Sequence, residues 1–194
     1  MKMEEVLKEK LSSSKHPEWE ERYIHSLGVC KMALLLNQKL KLNLDDEKVY
    51  LASILHDFAK FDTFEKFEKL VKKYNLSNEL LNLDRKLYHS FFGPYVVMDE
   101  VGIKDEDVLN AIRYHTTGKE EMTTLEEVIF LSDFIEENRV GEIYEVVRKV
   151  AFVDLKKAVA LELDNLVSHL NKLNKEINSN TINAYEYYKK YLEN

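Results

Sequence analysis

Four histidines and two aspartates carry the chemistry this sequence can offer: His25, His56, Asp57, His89, His115 and Asp133. His56 and Asp57 stand together in Val49-Tyr50-Leu51-Ala52-Ser53-Ile54-Leu55-His56-Asp57-Phe58-Ala59-Lys60, which otherwise reads as a buried helix. Val49, Ala52, Ser53, His56 and Lys60 follow at i, i+3, i+4, i+7 and i+11 and share one face. His25, His89, His115 and Asp133 each lie on or beside the inner face of a further helix. A hydrogen-bonded core histidine or a surface aspartate explains any one of them. Five helices that each turn an ionisable group inward need more, because each group would require its own buried partner. One shared cation compensates several at once.

Imidazole and carboxylate without thiolate suit Fe, Mn, Zn, Ni or Co. A four-ligand core of His25, His56, Asp57 and Asp133 leaves coordination positions open, as catalytic sites do and closed structural sites do not. Two roles are open for His89 and His115. They bind a second metal with Asp57 bridging, or they stay unmetallated and donate hydrogen bonds to a bound phosphate. Spacing does not choose between these.

The elements that must position these groups are helices. Five glycines, two prolines and abundant Leu, Glu and Lys predict an all-α class. The length of 194 residues suits a single domain over 1–194, with a core over about 18–140 and a C-terminal helical extension over 141–194. A short amphipathic helix is expected over 1–13. The next runs from about Glu18 to Leu40, with Arg22, His25, Val29, Met32, Ala33 and Leu36 on its inner stripe. Asp45 and Asp46 open the His56 helix, which is expected to continue through Lys60. An aromatic stripe of Phe64, Phe67 and Tyr74 reads as core. His89 falls near the start of a helix, and His115 shares a stripe with Val108, Leu109 and Ile112. Thr124-Leu125-Glu126-Glu127 reads as a capping box opening the Asp133 helix. Ile143, Val146, Val147 and Val150 mark the next inner face, and Thr181 is expected to cap the last helix. His16 and His169 read as solvated and without a role.

Charge bounds the partners. A net charge of −7 excludes broad nucleic-acid binding, which needs a basic face to displace counterions. It leaves room for a small phosphorylated ligand held by a few local cations. Cys30 is the only cysteine, which fits a reducing compartment. No early apolar run resembles a signal peptide and none is long enough to span a membrane. A cytoplasmic protein with no membrane partner is therefore expected.

The order His25 … His56-Asp57 … Asp133 resembles the HD superfamily of metal-dependent phosphohydrolases. The flanking words narrow the resemblance: Arg22-Tyr23-Ile24-His25-Ser26-Leu27-Gly28-Val29, Leu55-His56-Asp57-Phe58-Ala59-Lys60, Ile112-Arg113-Tyr114-His115-Thr116-Thr117-Gly118 and Ile129-Phe130-Leu131-Ser132-Asp133-Phe134-Ile135-Glu136. Together they look like the bacterial HD-domain symmetrical bis(5'-nucleosyl)-tetraphosphatase family, from about Arg22 to the C-terminal helix. Three words depart from that pattern, one of them Gly93-Pro94, where Gly-Ala is usual. His89-Ser90 stands where the family usually has His-Gly, and Glu136-Glu137-Asn138-Arg139 where it has Glu-Pro-Asn-Arg.

The resemblance implies an HD-domain helical bundle with additional N- and C-terminal helices. It implies cleavage of diadenosine tetraphosphate into two ADP by metal-activated water, with iron as the metal, one ion or two. Asp57, Lys60 and His115 are then the catalytic candidates, with His115 the candidate acid for the departing ADP. Arg22, His25, Lys60, His89, His115, Asp133 and Arg139 are candidates for contact with the substrate. The Thr116-Thr117-Gly118 turn would hold a phosphate by hydroxyl and backbone N–H. The expected partner is a dinucleoside polyphosphate or an ADP- or GDP-like nucleotide, and a homodimer stays open. Other HD chemistry on a different nucleotide or phosphoester, and a nucleotide sensor with negligible turnover, are the competing readings.

Overall fold

The computed structural model describes residues 2–193. Among them the chain forms ten α-helices and no strand, the all-α class expected. Six N-caps set the starts of the helices by side-chain acceptance of a backbone N–H: Asp45, Thr63, Asp105, Thr123, Asp154 and Asn178. Two of these differ from expectation. The capping box pairs Thr123 with Glu126, one residue earlier than Thr124 with Glu127. The shift frees Glu127 to turn into the core, where it meets Tyr188. Asn178 caps the last helix in place of Thr181, which is buried.

Helices α1 (Met3–Ser13), α2 (Trp19–Leu40) and α3 (Asp46–Leu55) form one side of the bundle. Leu7 and Leu11 anchor α1, and α2 packs along α3 through Val29, Ala33 and Leu36. Asn37 ties the connection by donating to the Leu44 carbonyl and the Asp46 carboxylate. Helices α4 (Phe64–Tyr74), α5 (Tyr88–Glu100) and α6 (Glu106–Tyr114) follow, with Phe67 stacked on Phe92 in the core.

The centre is α7 (Thr124–Ile135), which packs against α2, α6 and a later helix, α9 (Leu155–Lys172). Its run Val128–Leu131 is fully buried, as the near-continuous apolar sequence requires. Between them lies α8 (Glu142–Ala151), and α10 (Ser179–Tyr188) closes against α9. On α8 only part of the expected inner face is covered. Val147 is buried, whereas Ile143 and Val146 are exposed. No helix among the described residues is long and apolar enough to cross a membrane.

Two helices end in the same way, and the first of these ends departs from the expected pattern. The α3 helix stops at Leu55 and does not continue through Lys60, and α6 stops at Tyr114, just ahead of the Thr116-Thr117-Gly118 turn. In each, the next residue is a histidine whose Nδ1 donates to the carbonyl three residues back, His56 to Ser53 at 2.6 Å and His115 to Ile112 at 2.7 Å. Those carbonyls are the acceptors that the next i→i−4 bonds would need. After Leu55 the backbone bonds at i−3 spacing, at Phe58, Lys60 and Asp62. His56 and Asp57 are therefore presented from a tight turn and not from a regular helix.

Candidate metal centre

The positions of three histidine protons follow from their partners. A backbone carbonyl can only accept, so Nδ1 carries the hydrogen in His56 and in His115. His25 Nδ1 lies 3.3 Å from Glu136 Oε1, and Glu136 is held as an acceptor by the backbone and side-chain N–H groups of Asn138. With Nδ1 directed at an acceptor in all three, Nε2 is the nitrogen that each ring turns inward. His115 Nε2 has the Thr116 hydroxyl at 2.9 Å, whereas those of His25 and His56 face carboxylate oxygens. His25 Nε2 lies 2.9 Å from Asp133 Oδ1, and His56 Nε2 lies 3.3 Å from Asp57 Oδ2. His25 Nε2, His56 Nε2 and Asp57 Oδ1 are buried without a hydrogen-bond partner.

Ring nitrogens and carboxylate oxygens pressed together in the interior demand a cation. Three overlapping triads could hold one: His25, His56 and Asp57; His56, His115 and Asp133; and Asp57, His89 and His115. In each, the ligand atoms lie within 4.8 Å of one another. The donor set, imidazole nitrogen and carboxylate oxygen, fits a borderline divalent metal. Glu136 supplies to His25 the outer hydrogen bond that fixes tautomer and ring angle in metal sites. Room for its carboxylate comes from Gly28, one turn after His25. A Cβ at that position would lie 2.5 Å from Glu136 Oε2.

Cations already crowd one side of Asp57. Arg22 Nη1 reaches Asp57 Oδ2 at 2.6 Å, and Lys60 Nζ lies 3.4 Å from Oδ1. Burial pushes the Asp57 pKa up, but the Lys60 charge, with His56 beside it, outweighs this and holds the carboxyl well below its ordinary value. Burial likewise opposes ionisation of Asp133, and the close approach of the His25 and then the His56 imidazole overrides it downward. For His56 burial favours the neutral ring, but the neighbouring Asp57 charge outweighs it and the pKa is raised. His89 goes the other way. Burial first, and then Lys60 at 3.2 Å, lower it to about 4, so the ring stays neutral.

Two clefts open on either side of this cluster and share Arg139. One, about 360 Å³, lies against His25, Arg22, Asn138 and the outer turns of α2. The other, about 280 Å³, is walled by His115, Thr116 and Asp133 on one side and by Tyr144, Glu162, Asn165 and His169 on the other. It continues past Thr116, Leu166 and His169 into a cavity of about 240 Å³ lined by Leu170, Leu173 and Asn178.

Of the candidate site residues, His25, His56, Asp57, His89, His115, Asp133, Lys60 and Arg22 come together at the centre. Arg139 sits between the clefts, its Nη2 3.5 Å from Asp133 Oδ1. Thr116 lines the second cleft, but Thr117 and Gly118 do not. The Thr117 hydroxyl is buried and donates to the Gly118 carbonyl, and Gly118 packs against Ala184 and Leu163. Sequence reasoning missed Glu136 and Glu162. Glu136 had a readable signal, three residues after Asp133 at the end of the same helix. Glu162 had none, because only the docking of α9 brings it to the cleft. His169 is exposed as expected, yet it stands on the cleft rim.

A family model described as HD domain matches residues 22–138. The chain is 37% identical over 179 residues to the symmetrical bis(5'-nucleosyl)-tetraphosphatase of Bacillus subtilis (strain 168), covering 92% of this chain and 95% of that protein. A protein of the same name from Halalkalibacterium halodurans is 40% identical over 166 residues, 86% of this chain and 88% of its own. Among solved structures, a predicted HD superfamily hydrolase involved in NAD metabolism from Clostridium acetobutylicum superposes with a TM-score of 0.84 at 33% identity, covering 96% of each chain.

Proposed function

Because the chain belongs to the HD domain family, in the branch of the symmetrical bis(5'-nucleosyl)-tetraphosphatases, we propose that it hydrolyses diadenosine tetraphosphate to two ADP at the centre between its clefts. The observation that carries this reading is the convergence of three imidazole Nε2 atoms on the carboxylates of Asp57 and Asp133. His25, His56, Asp57 and Asp133 would hold one divalent ion, for which we propose iron, with Asp57, His89 and His115 available to a second. An ion there supplies Lewis acidity, which brings the pKa of water toward neutrality and offsets charge on phosphoryl oxygens.

The protein groups do the rest. Lys60, within reach of Asp57 and His89, faces the charge that develops on the attacked phosphate. Arg139, between the clefts, suits a fork-like grip on a neighbouring phosphate. The Thr116 hydroxyl, 2.9 Å from His115 Nε2, can turn to a phosphate oxygen. We assign no acid role to His115, whose inward Nε2 is directed to the Thr116 hydroxyl and to the second metal position. None is required. A departing phosphate with a second pKa of about 6 leaves as an anion near neutral pH. Asp57 acts as ligand and as the charge that orients Arg22 and Lys60.

On this reading residues 1–194 are one phosphohydrolase unit, with the helices after 141 as a wall of its cleft. A single buried cysteine and a nucleotide substrate suit the cytoplasm. The test is metal analysis of the purified protein together with chromatography of its products. ADP alone from diadenosine tetraphosphate, dependent on bound metal, is expected. ATP plus AMP, or no product, would reject the assignment.

A further inference from the structure

The cleft along the outer turns of α2 has no role in what precedes. Its volume, about 360 Å³, falls within the range of small-molecule pockets. Its chemistry is graded. Nearest the centre are the guanidinium groups of Arg22 and Arg139, with His25 and the deeply buried Glu136 beneath them, and farthest from it are Glu18 and Glu21, with Ile24 beside them. Glu18, Glu21, Arg22 and His25 follow at i, i+3, i+4 and i+7, so one helix face carries the gradient. From His25 to Glu18 the helix rises about 10 Å, at 1.5 Å per residue. Arg139 Nε is buried without a hydrogen-bond partner. Ile24 is 54% exposed, an apolar side chain on an otherwise charged rim.

We propose that this cleft binds the second nucleoside diphosphate half of the substrate, opposite the half that occupies the cleft of Thr116 and Glu162. The proposal rests on the hydrolase reading above. A nucleoside diphosphate read outward from its phosphates runs anion, hydroxylated ring, flat apolar base with amine donors. The cleft read outward from the centre runs cations, then carboxylates that accept from hydroxyl and amine, beside an aliphatic surface. The two orders match. An acidic rim would repel a bare polyphosphate, so the same groups select a chain closed by a nucleoside at both ends. Clefts on both sides of the reacting centre also account for a symmetrical cut, since each holds one ADP-sized half.

The test compares two substrates on metal-loaded protein: diadenosine tetraphosphate, and adenosine 5'-tetraphosphate, which lacks the second nucleoside. The variant is Glu21→Ala/Ile24→Gln, both positions exposed, with Ile182→Gln on the remote surface of α10 as control. In the variant the ratio of kcat/KM for the dinucleotide over the mononucleotide is expected to fall about tenfold, the size of one lost base contact. The control is expected to keep the wild-type ratio. A variant that cleaves both substrates at the wild-type ratio overturns this inference and leaves the hydrolase reading standing. A wild type that cleaves no dinucleotide removes the hydrolase reading, and the inference falls with it.

Discussion

Helix α7 carries carboxylates near both ends, buried at Glu126 and Glu127 and half-buried at Asp133, and they are treated in opposite ways. Near its N-terminus, Glu127 accepts from the Tyr188 hydroxyl at 2.7 Å, and Glu126 closes the capping box and meets Lys119 at 3.2 Å. Each acceptor there has its donor. Burial raises the pKa of Glu127, and the tyrosine bond only partly offsets this. Two turns on, Asp133 faces the Nε2 of His25, and its neighbourhood leaves His25, His56 and Asp57 atoms without hydrogen-bond partners. The first cluster is complete as folded, and the second becomes complete only with a cation. Burial and charge do not separate a structural cluster from a functional one here. Whether donors and acceptors add up does.

The sharpest way to break the contrast is to remove a ligand from the incomplete cluster. Asp57→Asn should abolish metal retention and lower turnover by about 10³-fold or more, because the acidified water and its electrostatic setting go together. Near-normal turnover with bound metal would show that the cluster does not work as one. Gly28→Ala tests the cluster one layer out. The added methyl would displace Glu136, and with it the hydrogen bond that holds His25. Metal affinity should fall between about 10- and 100-fold with the helical fold retained. Titration with Fe²⁺ or Mn²⁺ followed by circular dichroism reads both, and unchanged affinity would free His25 from Glu136.

Tyr188→Phe acts on the complete cluster and should do the reverse. It leaves Glu127 buried without its donor, at a cost of about 1–3 kcal/mol in unfolding free energy. Metal content and kcat should stay at wild-type values, as Tyr188 lies far along α7 from the centre. Denaturant unfolding and steady-state kinetics on the same sample check the pair. A loss of activity at full metal loading would mean that the two ends of α7 are coupled.

Much of this was legible from residue spacing. His25, Asp133 and the α2 and α7 faces that carry them read correctly, since helical periodicity and apolar neighbours fix which way a side chain turns. The ends were harder. His56 and His115 each stop a helix by taking a carbonyl with Nδ1, and the periodicity of Val49–Lys60 gives no sign of a side chain competing with the backbone. The capping box slipped by one residue because Thr123 and Thr124 are each followed three residues later by a glutamate. Burial of Glu127 against Tyr188 breaks the tie, and that contact spans 61 positions. The cleft wall from α8 and α9 was invisible for the same reason. Nothing in local sequence says that Glu162 will face Asp133.

Glu162 gives the smallest expected effect and the only stabilising one. It is 7% exposed, lines the second cleft, and its Oε2 has no hydrogen-bond partner. Burial, reinforced by the charge of Asp133, raises its pKa well above the ordinary value. In the unfolded chain the same carboxyl ionises near pH ~4.3. Between that value and its raised folded pKa, the folded state therefore binds more protons than the unfolded one. Stability from this group is present below the unfolded pKa and is lost as pH rises through the folded pKa. Glu162→Gln keeps the shape and removes the titration. The metal-free variant should gain in melting temperature over the wild type at pH 8 and gain less at pH 5. An equal shift at both values would mean that Glu162 is ionised in the folded protein, with a cation beside it. In that event the second cleft would belong with the incomplete end of α7 and not with its structural end.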